Sequence, residues 1–339
     1  MSKRVQILLT LFVAALLLAL AAPQRSAAQD DSPSFAEWLH GVREEALARG
    51  IRPEIVDQAF AGIDEPLALP LARDRAQPEQ TQTIETYISR HVNSTAVRRG
   101  RTAMRQYRAV LGRVSRAYGV PAPVLVAIWG LESNYGRISG RQPTVPVLAT
   151  LAWDPRRSDF FRKELFSALE ILNRGEIDLE QMRGSWAGAM GELQFMPSSY
   201  LAYAVDFDGD GHRDIWDSPA DIFASIGNYL KQHGWQEGVR WGREVSLPRG
   251  DKIAGLPSRA GGCDAKRDMT QPLPLEQWRS LGVKLPGGGT LPKADFPASL
   301  TSGSRRHFLV YGNYDVLLSY NCAHSYALSV ALLSDRLWQ

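Results

Sequence analysis

Apolar residues run almost unbroken from Ile7 to Ala22, behind Lys3 and Arg4 and ahead of the small residues Ser26-Ala27-Ala28. A positive start, an apolar middle and a small-residue end make the pattern of a cleavable export signal, residues 1–28, cut before Gln29. The run is shorter than the roughly 20 residues a membrane-spanning helix needs, and no second such run follows. The pattern therefore predicts a soluble, periplasmic mature chain with no stable membrane span. No cysteine stands near the cleavage point, which removes a lipid-modified cysteine from consideration.

From Phe35 to Ala48 apolar residues recur at helical spacing, and Gly50 ends the stretch. A second helix is expected after Arg52, with Pro53 in its first turn, and further ones over Thr83–Val92 and Thr102–Tyr118. Residues 29–118 thus read as a helical N-terminal domain. Residues 119–238 continue mainly helical and hold the most unusual residues. Beyond Trp241 the pattern changes: Pro and Gly become frequent, Glu244–Leu247 and His307–Tyr311 are β-prone, and Gly287-Gly288-Gly289 marks a turn. Residues 239–308 read as a small β-rich insertion. Residues 309–339 return to the core with a helix whose Tyr326, Val330, Leu333 and Leu337 share one face. The fold class expected is mainly α (α+β), with a small antiparallel β element.

The chain has 339 residues, 44% of them hydrophobic, ample for one or two buried cores. Its formal net charge of +3 is accounted for by Lys3, Arg4 and Arg25, all within residues 1–28, a stretch without acids. The remainder is neutral and has no Lys/Arg cluster interleaved with aromatics, so nucleic acid is not an expected partner. Cys263 and Cys322 are the only cysteines. In an oxidising compartment they are expected to form one disulfide tying the Pro/Gly-rich region to the C-terminal segment. Two cysteines without a local histidine cluster do not make a zinc site.

Glu132 ends the apolar helical run Val124–Leu131 and precedes Ser133-Asn134-Tyr135-Gly136. A carboxyl beside Trp129, where a helix gives way to a loop, is poorly solvated and lies at the negative end of the helix dipole. Both effects resist ionisation. A carboxylic acid that keeps its proton near neutrality suits protonation of a glycosidic oxygen. A second motif runs from Gly188 to Ser198. Its small residues allow close backbone approach to a neighbouring helix or a ligand, and Gln194 offers both a donor and an acceptor to a sugar.

A third motif, Asp206–Asp217, sets acids at positions 1, 3, 5 and 9 of a twelve-residue loop. Gly211 stands at the sharp-turn position, and His212 stands where only a backbone carbonyl is required. Such a group of carboxylates calls for a hard cation, with Ca2+ as the structural occupant. Asp217 stands where the pattern wants a longer glutamate. Asp221 follows Ser218-Pro219 as part of a capping box, or reaches back to complete the coordination. Tyr229, Tyr320-Asn321 and Tyr326 are residue types that suit a carbohydrate groove, and Arg156-Arg157 could meet the carboxylates of a peptide stem.

Together, Glu132-Ser133-Asn134-Tyr135-Gly136, Gly188-Ala189-Met190-Gly191 leading to Gln194-Phe195-Met196-Pro197-Ser198, the aspartate loop, Asn228-Tyr229-Leu230, His233-Gly234-Trp235 and Tyr320-Asn321 resemble the lytic murein transglycosylase B family. The resemblance runs from about Phe35 to the C-terminus. It implies a lysozyme-like helical core, flanked by a helical domain and a small β domain. It also implies non-hydrolytic cleavage of the MurNAc-β-1,4-GlcNAc bond of peptidoglycan, leaving 1,6-anhydromuramyl ends. By motif position Glu132 would be the single acid/base. Ser185, Gln194, Tyr229, Tyr320, Asn321, Tyr326 and Tyr87 would line the glycan groove. Arg156 and Arg157 would meet the peptide stem, and Asp206, Asp208, Asp210 and His212 would hold Ca2+. No organic cofactor is implied, and a monomer is expected.

Two features depart from that pattern. Glu192 adds an acid inside the Gln194 motif, and no separate peptidoglycan-binding domain is expected after the last helix. A hydrolytic muramidase using Glu192, or a calcium-stabilised wall-binding module without activity, are the alternatives.

Overall fold

Helix α1 (Phe35–Ala48) starts where Ser34 and Glu37 form a reciprocal capping box, and it buries Phe35, Leu39, Val42 and Ala46. The computed structural model describes residues 33–76, 82–249, 253–293 and 296–338. The expected export signal, residues 1–28, lies outside the described residues. Among the described residues no single helix is long and apolar enough to cross a membrane.

Helix α2 (Pro53–Phe60) uses Pro53 in its first turn, as expected. A short α3 (Ala68–Ala76) follows, then α4 (Ile84–His91), capped by Thr83, and α5 (Ser94–Gln106), capped by Asn93. The helical stretch expected through Thr102–Tyr118 is broken at Tyr107, between α5 and α6 (Arg108–Tyr118). The Tyr107 ring turns inward there, edge-on to Trp129 and Phe223 at 5.7 and 5.6 Å. This tertiary packing is invisible to local periodicity.

The central helix α7 (Ala122–Ser133) is apolar on every side, and Pro123 through Trp129 are all buried. A helix of that kind belongs inside a core rather than on a surface. Helices α8 (Thr144–Trp153) and α10 (Pro197–Tyr203) both pack on α9 (Ser158–Asn173), and α11 (Pro219–Gln232) packs on α6 and α7. The last two helices, α14 (Gly312–Tyr320) and α15 (His324–Leu337), bring the chain back, and α15 packs on α7, α4 and α5. The expected face of α15 is buried at all four positions: Tyr326, Val330, Leu333 and Leu337. One continuous apolar cluster includes Phe35, Val56, Leu111, Ile128, Leu169, Ile226 and Leu328. The N-terminal helices therefore share their core with the central ones.

A second, smaller cluster is built from Val245, Leu275, Trp278, Val283, Leu291, Ala298, Leu300, Leu309 and Tyr311. It lies against a four-stranded antiparallel sheet of β3 (Gly242–Val245), β4 (Leu273–Pro274), β5 (Pro297–Ser302) and β6 (His307–Val310), in the order β3-β6-β5-β4. Two short helices, α12 (Asp264–Arg267) and α13 (Leu275–Ser280), accompany the sheet. Cys263, at the start of α12, is disulfide-bonded to Cys322, between α14 and α15. A separate two-stranded ribbon, β1 (Gln142–Pro143) with β2 (Arg183–Gly184), stands beside the central helices.

Candidate active site

Glu132 occupies the last turn of α7, and Asn134 caps that helix with a left-handed backbone. Among the described residues, Asn134, Tyr135 and Gln194 are the non-glycine residues with positive φ, at 52°, 62° and 51°. Such conformations cost on the order of 1 kcal/mol or more each and collect where a site demands them. Local contacts hold the strain. Arg99 donates to the Asn134 side chain at 2.8 Å, and the Tyr135 hydroxyl donates to the Ala96 carbonyl at 2.7 Å. The Tyr135 ring folds back over Gly130, where a Cβ would stand 2.6 Å from it. Gly130 is therefore a packing requirement of the turn.

Glu132 itself is half-buried, and the surrounding protein crowds its carboxyl group. Burial pushes its pKa up to about 7, and a contact from the Tyr326 hydroxyl opposes part of that rise. That hydroxyl is buried and falls short of full hydrogen-bond geometry, so its effect is a dipolar contact rather than a formed bond. Burial and the neighbouring Glu132 carboxyl keep the phenols of Tyr320 and Tyr326 well above the ordinary tyrosine range. Both therefore stay neutral. The Trp129 indole, expected beside Glu132, instead donates to Glu192 at 2.6 Å. Two phenols, Tyr326 and Tyr320, act on the Glu132 carboxyl.

Aromatic rings extend from Glu132 in a row. Tyr326 stacks on Tyr320 at 6.2 Å and 11°, Tyr320 meets Tyr229 at 4.9 Å and 60°, and Tyr229 stacks on His233 at 4.0 Å. Phe195 stands behind Tyr229 and Tyr320, at 5.6 and 5.8 Å. Backbone carbonyls fix the phenols: Tyr229 donates to Ser319 at 2.6 Å and Tyr320 to Leu193 at 2.9 Å. Burial pushes the Tyr229 pKa up to about 12. Asn321 ends α14 beside Tyr320 and is exposed. Tyr87, on α4, stacks on His91 at 4.0 Å and acts electrostatically on Tyr326, which puts it at the same end of the row. His233 and Tyr203, which meets Tyr229 at 4.8 Å, also belong to this aromatic group. Helical spacing links His233 to Tyr229, four residues earlier. No sequence signal pointed to Tyr203.

The Gly188–Ser198 motif is a bridged loop, neither helix packing nor open coil. Met190 and Phe195 exchange backbone hydrogen bonds at 2.7 and 3.1 Å. Ser185 closes the loop's other end by accepting from Ala187 and Ala189 at 3.3 and 3.2 Å. Gln194 donates through its amide nitrogen to the Gly191 and Ser139 carbonyls, at 2.9 and 3.2 Å. The loop thereby touches the segment that follows the Glu132 turn. Buried Glu164 accepts from the Ser198 backbone and hydroxyl at 2.8 and 2.7 Å, fixing the start of α10.

Asp206, Asp208 and Asp210 each turn a carboxylate oxygen into one group, with the oxygens within 4.8 Å of one another. An all-oxygen set of this density fits a hard divalent cation. The backbone of His212 donates to Asp210 at 2.8 Å, so this residue borders the group. Asp217 and Asp221 are not in it. Asp217 donates its backbone N–H to Asp214, whereas fully buried Asp221 accepts from Phe207 and Asp214 at 2.7 and 2.8 Å and so braces the base of the loop. Ser218 caps α11 by accepting from the Asp221 backbone, but the reciprocal half of the expected capping box is absent because the Asp221 carboxylate is taken by Phe207 and Asp214. Arg156 and Arg157 are both paired with buried Asp74 at 3.2 Å, tying α3 to the junction of α8 and α9. Arg157 also lies over the Phe160 and Phe161 rings of α9, at 5.4 and 4.6 Å, so both arginines serve this helix junction rather than the aromatic row.

The transglycosylase SLT domain matches residues 34–335 of the chain. Membrane-bound lytic murein transglycosylase B of Escherichia coli strain K12 is 40% identical over 173 residues, 51% of this chain and 46% of that protein. The aligned stretch thus spans under half of that relative. The structure of SltB3 from Pseudomonas aeruginosa in complex with NAG-anhNAM-pentapeptide superposes with a TM-score of 0.82 at 42% identity, covering 90% of this chain and 80% of that one. The structure of Escherichia coli Slt35 in complex with calcium superposes with a TM-score of 0.74 at 28% identity, covering 94% and 98%. The fold is that of the lysozyme-like lytic transglycosylases, and the chain belongs to the transglycosylase SLT domain family of lytic murein transglycosylases.

Proposed function

We propose that the protein is a peptidoglycan lytic transglycosylase acting at the bond between N-acetylmuramic acid and N-acetylglucosamine. One observation carries this reading: Glu132 is a half-buried carboxylic acid with a pKa of about 7 at the end of a row of aromatic rings. Relatives solved with NAG-anhNAM-pentapeptide and NAG-NAM-pentapeptide support the substrate class.

In the first step Glu132 gives its proton to the glycosidic oxygen as the bond to the muramyl C1 breaks, and N-acetylglucosamine leaves. Positive charge develops at C1, sheltered by the sugar's own 2-acetamido group. In the second step the muramyl 6-hydroxyl oxygen bonds to C1, and its proton returns to the Glu132 carboxylate. The anhydro ring closes and the enzyme is restored without water. A pKa near neutrality suits a group that must act as acid and then as base. The buried neutral phenols of Tyr320 and Tyr326 exclude water beside the carboxyl. A hydrolytic route needs a second carboxylate free to activate water or attack the sugar. Glu192 is engaged with Trp129, and the acids that act on it are Asp217 and Asp214.

Asp206, Asp208 and Asp210 would hold a structural Ca2+, which supplies charge neutralisation to the loop and takes no part in bond cleavage. Export to the periplasm is the compartment in which this substrate and the Cys263–Cys322 bond both make sense. Mass spectrometry of digested sacculi tests the activity. Anhydro ends, one water lighter than reducing ends, are expected; reducing ends alone would make the protein a hydrolase, and no release would make it a binding module.

A further inference from the structure

Glu192 is a half-buried acid that the proposed chemistry does not use, yet it lies one layer from the end of the catalytic helix. Its carboxylate oxygen Oε2 accepts from the Trp129 indole at 2.6 Å. Trp129 is one turn before Glu132 on α7, and three rings hold it edge-on: Tyr107, Tyr135 and Phe223, at 5.7, 5.6 and 5.3 Å. The Trp129 carbonyl accepts from the Ser133 hydroxyl at 3.0 Å, and that hydroxyl oxygen accepts from the Gly136 N–H at 3.0 Å. Gly136 lies directly against Glu192, because a Cβ there would stand 2.6 Å from Glu192 Oε1. The contacts therefore run from Glu192 to Trp129, Ser133 and Gly136 and back to Glu192, and position 132 lies inside that circuit. The circuit is anchored from outside: the Glu192 N–H donates to the Ile215 carbonyl, in the aspartate loop, at 2.9 Å.

We propose that Glu192 is a positioning residue that, by gripping the Trp129 indole and backing Gly136, fixes the direction of the Glu132 carboxyl and ties it to the aspartate loop. The proposal rests on Glu132 being the acid/base. Glu192 acts through its acceptor oxygen and not as a second acid or nucleophile. Glutamine preserves an oxygen that can accept from the indole, whereas alanine leaves a buried donor without a partner. A misdirected acid slows the chemical step while leaving sugar contacts made elsewhere in place, and a displacement of about 1 Å can cost on the order of 10²-fold.

The test is steady-state kinetics of the full chain on soluble glycan strands with calcium present, for E192Q, E192A, W129F and the double variant E192A/W129F. Glu192→Ala is expected to lower kcat about 10²-fold with KM within about twofold, and Glu192→Gln to retain activity within a few-fold of wild type. Trp129→Phe, which lacks the N–H, should match Glu192→Ala, and the double variant should be no worse than either single one. Should Glu192→Ala fail to fold, the comparison of Glu192→Gln with Trp129→Phe carries the same test. The proposal is overturned if kcat of the folded alanine or phenylalanine variant stays near wild type. It is equally overturned if Glu192→Gln is as impaired as Glu132→Gln, since the charge itself would then be needed. Failure of the underlying reading looks different: the wild type itself would release no anhydro ends.

Discussion

Replacing Glu132 by glutamine removes a titrating proton while keeping nearly the same shape, and its consequences for rate and for stability can be separated. Proton transfer by a positioned group contributes about 10²–10⁴-fold to rate, so release of anhydro ends should fall by at least that much. The stability effect has the opposite sign. Burial raises the Glu132 pKa from 4.5 to about 7, so between those values the folded chain holds a proton that the unfolded chain has lost. Stability assigned to this group is therefore lost as pH rises through that window. Each pKa unit is worth about 1.4 kcal/mol, which sets a ceiling of about 3 kcal/mol at alkaline pH. Partial exposure of the carboxyl brings this to about 2 kcal/mol. For a chain of this size that is about 4 °C in Tm. The glutamine variant should therefore melt about 4 °C above wild type at pH 8 and equal to it at pH 4. Thermal melts from pH 4 to 8.5, run beside sacculus digestion, check both. Undiminished digestion by the variant, or melting curves that coincide at every pH, would refute the reasoning.

Other consequences can be measured in the same preparation. The wild-type rate should fall as pH rises through about 7, the pKa of the proton donor. Because the Tyr326 contact lowers that pKa, Tyr326→Phe should move the alkaline limb of the pH–rate profile to higher pH; an unmoved limb would remove Tyr326 from the site's electrostatics. Replacing Cys263 and Cys322 together by serine opens a link across 59 residues, and denaturant unfolding should show a loss of about 4 kcal/mol. Asp221→Ala leaves the Phe207 and Asp214 N–H groups unpaired and should cost about 1–3 kcal/mol each, with or without a chelator. Asp208→Asn, by contrast, should abolish the rise in Tm expected when calcium is added to the wild type; an equal rise in the variant would argue against the proposed site.

Features set within a few residues of one another are legible in the amino-acid sequence itself. Apolar spacing from Phe35 announces α1, Pro53 announces α2, and Ser218-Pro219 announces α11. The unbroken apolar run before Glu132 marks a core helix ending in an acid, and the aspartates at alternate positions mark a loop whose carboxylates converge. Contacts between distant segments are not legible in this way. The Trp129 indole is expected to desolvate its neighbour Glu132, yet it pairs with an acid 63 residues away. Arg156 and Arg157 carry the chemistry of carboxylate recognition, and the carboxylate they meet is Asp74. Asp221 can be read as cap or ligand from its spacing; only its two accepted backbone bonds show it bracing the loop. A residue's chemistry is a local property, whereas its partner is chosen by the way helices pack.

Helix α15 has a temporal consequence. It carries Tyr326 to the Glu132 carboxyl and packs along α7, and Cys322 just before it locks the junction to α12. Ribosomes deliver a chain from its N-terminus, so the phenol opposite the acid is among the last groups to arrive. A nascent or prematurely terminated polypeptide holds the acid without its finished surroundings. A chain shortened before Cys322 would lack both that phenol and the disulfide, leaving the Glu132 carboxyl without the group that faces it.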